Sequence, residues 1–129
     1  MAFTRNVEAG KFVAWGKKKA KENSYVVEKG KALEGTVTNV KDSDKYYKIF
    51  EISVKGEDDV VIVTGTKRIR DEFGYAANLK DGSWIPVPLE EQKAISQVKP
   101  GDKVRVHFEG MKKTKAGEMY DLWCEIDSQ

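Results

Sequence analysis

Between Val98 and Asp127 the chain reads VKPGDKVRVHFEGMKKTKAGEMYDLWCEID, and few folds accommodate such a stretch. It opens on the turn Lys99-Pro100-Gly101-Asp102, where proline presets φ, glycine supplies positive φ and aspartate bonds nearby backbone. Val104, Val106 and Phe108 then alternate with Lys103, Arg105, His107 and Glu109. A period of two rich in β-branched residues is a strand with one dry and one wet face. After the basic connection Lys112–Gly117 the alternation returns. Tyr120, Leu122, Cys124 and Ile126 take the dry side, and Met119, Asp121, Trp123 and Glu125 the wet side. The stretch is therefore a β-hairpin whose wet face carries Arg105, His107 and Trp123.

Upstream, Ala32–Val40 reads as a strand, with Gly35 marking a bulge or bend. Tyr46–Val54 is the most strand-like segment, with Phe50, Ile52 and Val54 on one side, and Val60–Thr64 makes a third strand. Polar turns at Lys41–Lys45 and Gly56–Asp59 join the three as a meander. Thr66–Glu72 fits a turn of helix, Asp81-Gly82 is a turn signal, and Trp84–Pro88 is extended because each proline restricts the residue before it. Leu89–Val98 is expected as a helix of about ten residues, with Pro88 at its start, acids in its first turn and Pro100 beyond its end. Leu89, Ala94, Ile95 and Val98 would form its buried stripe.

A meander, an insertion with a short helix and a hairpin give five strands too short to lie flat, each with one dry face. The expected fold is all-β with one short helix: a five-stranded barrel of the oligonucleotide/oligosaccharide-binding (OB) type over residues 25–129. In that arrangement the helix between strands three and four plugs one end. Residues 1–24 form a basic, aromatic N-terminal arm with Phe12, Trp15 and the run Lys17-Lys18-Lys19.

Charge is unevenly divided. The chain of 129 residues has a net charge of +2, yet residues 1–30 hold seven Lys/Arg against three Asp/Glu. An arm of that kind meets polyanions. A fraction of 34% charged residues suits a globular chain in water, and no apolar run approaches the ~20 residues needed to span a bilayer. Met1–Gly10 does not read as a signal peptide. One cysteine, Cys124, excludes an intramolecular disulfide framework and falls on a dry face as an inert thiol. The cytoplasm is the expected compartment, and no membrane partner is expected.

Catalysis finds little support. The lone His107 has no nucleophile at a telling spacing, one Cys and one His cannot hold zinc, and no phosphate-binding glycine loop is present. No catalytic residue, metal ligand or cofactor is expected. Glu57-Asp58-Asp59 would carry a divalent metal only in a nuclease reading, which magnesium-dependent cleavage would reveal.

Single-strand binding has more behind it. On an OB barrel a strand of nucleic acid crosses strands two and three between two flanking loops. Here that face offers Tyr47 and Lys48, the first loop Lys45, and the second Lys112, Lys113 and Lys115. The insertion adds Lys67, Arg68, Arg70 and Trp84, the last hairpin adds Arg105 and Trp123, and the arm adds Lys17, Lys18 and Lys19. Rings stack on any base and lysines contact phosphate without sequence preference. Tyr47, Trp84 and Trp123 are the candidates for stacking.

The chain resembles the small OB-fold single-stranded DNA-binding proteins encoded by bacteriophages. The resemblance rests on G-x-x-x-x-G-x-V at Gly30, Gly35 and Val37, an aromatic-rich second strand, V-K-P-G-D-x-V-x-[VI]-x-[FY]-x-G at Val98–Gly110, and K-T-K-x-G-x-x-Y at Lys113–Tyr120. It covers residues 25–127 and leaves the arm outside. It implies sequence-independent binding of single-stranded DNA in viral replication, recombination or repair in a host's cytoplasm, with replication or recombination proteins as further partners. RNA binding, a structural or adaptor role between proteins, and a homodimer through Trp123 or the arm stay open.

Overall fold

The computed structural model describes residues 10–16, 24–93 and 96–127. In chain order the elements are β1 (Gly10–Trp15), β2 (Tyr25–Val27), β3 (Lys31–Ser43), β4 (Tyr47–Ser53), β5 (Val60–Thr64), α1 (Lys67–Phe73), β6 (Ala77–Lys80), β7 (Ser83–Pro86), β8 (Lys103–Thr114) and β9 (Gly117–Asp127). The protein is mostly β. Seven strands form one curled, half-barrel sheet in the order β2-β1-β5-β4-β3-β8-β9, and β6-β7 is a separate hairpin.

The curl originates in β3. Its first half, Lys31–Thr36, pairs with β8, and its second half, Thr36–Ser43, pairs with β4. Where the two ladders meet, the register with β4 shifts between Val37 and Asn39. A side chain at Gly35 would place its Cβ 2.3 Å from the Ser53 carbonyl oxygen, so only glycine lets β4 come this close. The Lys99–Asp102 turn continues the ladder: Val37 donates to the Asp102 carbonyl and accepts from Gly101, both at 2.8 Å. Gly101 sits at φ +100°, and the buried Asp102 carboxylate accepts the Lys99 N–H at 3.0 Å.

The dry faces read from the alternation meet in one core. Leu33, Val37, Phe50, Ile52, Val61, Val63, Val104, Val106, Phe108 and Leu122 are buried there. Tyr120, Cys124 and Ile126 pack against it from β9. Burial pushes the Cys124 thiol well above its ordinary range.

Three features differ from the sequence expectation. The strands expected at 32–40, 46–54 and 60–64 and in the 98–127 hairpin are β3, β4, β5, β8 and β9, but they are joined by two more. Gly10–Phe12 of β1 pairs in parallel with Val60–Ile62 of β5, and Val13–Trp15 pairs in parallel with Tyr25–Val27 of β2. Part of the expected arm is thus sheet. GKFVAW is too short to show a period, and its partner β5 lies some fifty residues away.

The curl brings this added edge back to β8, with the Trp15 ring 5.8 Å from Phe108. The remainder of the arm, including Lys17, Lys18 and Lys19, lies outside the described residues.

The helix expected at Leu89–Val98 is not formed. Leu89–Glu91 is a single 3-10 turn, Gln92 is already extended, Leu89 is exposed, and Ala94 and Ile95 lie outside the described residues. The helix that fills the core is α1, which contributes the buried Ile69 and Phe73, the latter edge-on to Phe50 at 4.8 Å. Gly74, at φ +86°, ends α1 where a Cβ would meet the Ser96 carbonyl oxygen at 2.6 Å. The chain then runs extended past that end, Val98 donating to the Phe73 carbonyl at 2.9 Å and accepting from the Tyr75 hydroxyl at 2.6 Å. Those contacts outweigh the helix propensity of ten isolated residues.

Candidate nucleic-acid interface

The β3–β4 turn and the β6–β7 hairpin converge at one end of the sheet. In the turn, Ser43 Oγ accepts the Tyr46 N–H at 3.1 Å and Tyr47 takes φ +69°, an uncommon conformation outside glycine. The hairpin turns on Asp81 and Gly82, both at positive φ, as a two-residue loop of type I′ requires. Trp84 ties the two together. Its indole N–H donates to the Asp44 carbonyl at 2.7 Å and its ring lies 5.9 Å from that of Tyr47.

Beneath Trp84 lies Arg70, only 7% exposed. Its guanidinium carbon is 4.7 Å from the Trp84 ring centre, and Nη1 donates to the Gly65 and Tyr46 carbonyls at 2.7 and 3.3 Å. Burial lowers its pKa, with Asp71 opposing the shift. Arg70 Nε is buried without a hydrogen-bond partner. Lys48 Nζ sits 5.0 Å from the Tyr47 ring and 5.6 Å from the Tyr75 ring, and pairs with the exposed Asp42. Lys45 Nζ lies 5.3 Å from the Tyr46 ring. Five of the sequence candidates, Lys45, Tyr47, Lys48, Arg70 and Trp84, are therefore one cluster of stacked rings and cations.

Sequence reasoning missed Leu79. It is 59% exposed and stands opposite Trp84 in the β6–β7 register, on the same face of the hairpin. The signal was present: Asp81-Gly82 as a two-residue loop places residue 79 across from 84.

A second basic region is the ribbon formed by β8 and β9 beyond a register shift between Phe108 and Met111. Residues 111–118 are all exposed there. Lys112 approaches Asp121 at 3.8 Å, whereas Lys113 and Lys115 have no ion-pair partner among the described residues. Between this ribbon and the start of α1 runs a groove of about 350 Å³ lined by Thr66, Lys67, Arg68, Met111, Met119, Tyr120 and Leu122 among others. Lys67 pairs with Asp71 at 2.7 Å, and Arg68 donates from Nε to the Leu122 carbonyl at 2.8 Å.

Arg105 and Trp123 lie elsewhere. Arg105 is held by Glu34 at 2.8 Å and Glu125 at 3.3 Å on the outer face of β3, β8 and β9. The Trp123 ring stacks on His107 at 3.7 Å and 6°, and its indole N–H donates to Glu109 at 3.1 Å. Glu34 opposite Arg105 and Ser43 opposite Tyr47 are nine residues apart on β3, about 30 Å of strand at ~3.3 Å per residue. The described sequence candidates thus fall in three places: the Trp84 cluster, the ribbon with the start of α1, and the outer face bearing Arg105 and Trp123.

Glu57 of the acidic turn pairs with Lys11 at 3.1 Å. Among the described residues no three His, Cys, Asp or Glu side chains cluster as metal ligands, and no helix is long and apolar enough to cross a membrane. Comparison with protein-family models, curated proteins and solved structures finds no match.

Proposed function

We propose that the protein binds single-stranded DNA without sequence preference, in replication, recombination or repair. The observation that carries this reading is the Tyr47–Trp84 ring pair with the Lys48 and Arg70 cations against it. Tilted rings expose edges and faces on which unstacked bases rest, and flanking ammonium groups meet the phosphates between them.

The connectivity supports an OB-type architecture underneath. The meander β3-β4-β5, helix α1 and the hairpin β8-β9 follow in that order, and β3 pairs with both β4 and β8. Ligand on such a barrel runs between the loop after the first strand and the loop between the last two. Here these are the Lys45–Tyr47 turn and the ribbon bearing Lys112, Lys113 and Lys115. Lys67 and Arg68 flank the groove at the foot of that ribbon. In this reading Arg70 positions Trp84 and does not itself reach phosphate.

Fluorescence anisotropy of labelled oligo-dT, oligo-U and a matched duplex, at two salt concentrations, tests the proposal. Tight binding of oligo-dT that falls steeply with salt and exceeds duplex binding supports it. Tighter binding of oligo-U redirects it to RNA. No binding of any oligonucleotide at low salt overturns it in favour of a protein-adaptor role.

A further inference from the structure

The outer face of β3, β8 and β9 is unlike the cluster around Trp84 in charge. Cross-strand register sets Glu34, Arg105 and Glu125 in one row, Ala32, His107 and Trp123 in the next, and Lys103 beside Asp127 at the C-terminal end of β9. With Glu109 on the Trp123 indole and the Lys112–Asp121 pair beyond it, the face holds five carboxylates against Lys103, Arg105 and Lys112. Arg105 is shared by two of the acids, so its charge is already spent on Glu34 and Glu125. A phosphate approaching here meets net repulsion.

Trp123 remains 41% exposed although one side of its ring is covered by His107. An indole with a carboxylate on its N–H is a ready seat for a cation. The ring quadrupole attracts the charge, and Glu109 and Glu125 supply acceptors for its N–H groups. Glu125 is held ionised: the hydrogen bond from His107 Nε2 at 2.6 Å pulls its carboxyl below the usual range, with Arg105 adding to the effect. Beside this seat lies a shallow concavity of about 220 Å³, lined by Glu34, Lys103, Arg105, Glu125 and Asp127 among others, with room for a second side chain. β9 is the last strand of the sheet, so an extended segment reaches both from its edge.

We infer that the His107–Trp123 face is a docking surface for a cationic, arginine-bearing segment of a partner protein. Arginine fits better than lysine, because its planar guanidinium stacks on the indole while its N–H fork engages a carboxylate. This surface is distinct from the Tyr47–Trp84 cluster: its side chains come from β3, β8 and β9, those of the cluster from the β3–β4 turn, β4, α1 and β7.

The test uses the full, isotope-labelled chain titrated separately with a nona-arginine peptide and with oligo-dT, followed by amide and indole N–H spectra. The peptide is expected to move the Trp123 indole signal and the amides of Glu109 and Glu125 while leaving Trp84 in place. Glu109→Gln and Trp123→Ala should each weaken peptide binding roughly fivefold to tenfold. Both are exposed positions, and Trp123→Phe provides a conservative second variant that should retain part of the affinity. Oligo-dT affinity should fall in none of the three. Peptide-induced shifts scattered over the acidic surface with Trp123 unmoved would overturn the inference. So would peptide affinity indifferent to Glu109→Gln, or a Trp123 indole signal moved by oligo-dT.

Discussion

The Arg70 guanidinium lies 4.7 Å from the Trp84 ring centre while its Nη1 bonds the Gly65 and Tyr46 carbonyls. One buried side chain thereby joins α1, the β5–α1 link, the β3–β4 turn and the β6–β7 hairpin. A lysine cannot stack as a plane and donate in the same two directions. Arg70→Lys should lower stability by about 2 kcal/mol in urea unfolding. It should also speed hydrogen exchange at the Trp84 indole N–H, and unchanged exchange would show that Arg70 does not hold the hairpin.

Replacing the rings themselves tests the proposed interface. Tyr47→Ala and Trp84→Ala should each weaken oligo-dT binding by about 1–3 kcal/mol, roughly 5- to 150-fold. Because the two rings touch, the double variant should lose less than the two effects combined. Anisotropy titration reads all three, and full additivity would mean that the rings serve separate bases.

Lysines of the ribbon act differently. Lys113→Ala and Lys115→Ala should weaken binding of every sequence alike, and each should flatten the dependence of log affinity on log salt by about one. A salt series on each variant measures the slope. An unaltered slope would remove the ribbon from the phosphate path.

Gly35 is a test of the fold. With a Cβ 2.3 Å from the Ser53 carbonyl oxygen and 2.7 Å from Ile52 Cγ2, Gly35→Ala must push β3 off β4. The expected loss is about 3 kcal/mol or more in chemical denaturation. Gly56→Ala is the control. There the added methyl meets open space and only the φ of +89° is unfavourable, so about 1 kcal/mol is expected.

Acid should loosen the outer face in a defined order. The Glu125 carboxyl is lowered first by its bond from His107 and then by Arg105, so its contribution to stability is present above the ordinary glutamate range of about 4.3. That contribution is lost as pH falls through the depressed folded value. A side-chain carboxyl titration by magnetic resonance should find Glu125 below the exposed glutamates. His107→Phe keeps a ring against Trp123, removes the bond and should bring Glu125 back up. If Glu125 titrates unchanged in that variant, the bond does not set its pKa.

Much of the framework was legible without coordinates. The dry residues of β3, β4, β8 and β9 could be named from alternation, because a strand's side-chain period is a local property of its backbone. The Lys99–Asp102 and Asp81–Gly82 turns were equally plain, because proline, glycine and aspartate act within a few residues of themselves. The site was legible as a composition of rings and cations. Its partition was not: Arg105 and Lys48 look alike in sequence, yet Lys48 lies over the Tyr47 ring beside Trp84 while Arg105 is bound by Glu34 on the outer face.

By itself, then, the sequence determined the alternating strands, their turns and a composition of basic side chains interleaved with aromatics, all of which depend on neighbours in the chain. Tertiary structure decided which segment became the core helix, that Gly10–Trp15 is sheet, and which aromatics share a surface. Those outcomes follow from contacts between residues distant in sequence. Val98 is pinned by Phe73 and Tyr75, β1 lies on β5, and Trp84 reaches Asp44 across forty positions. Local propensity holds no record of partners so far away.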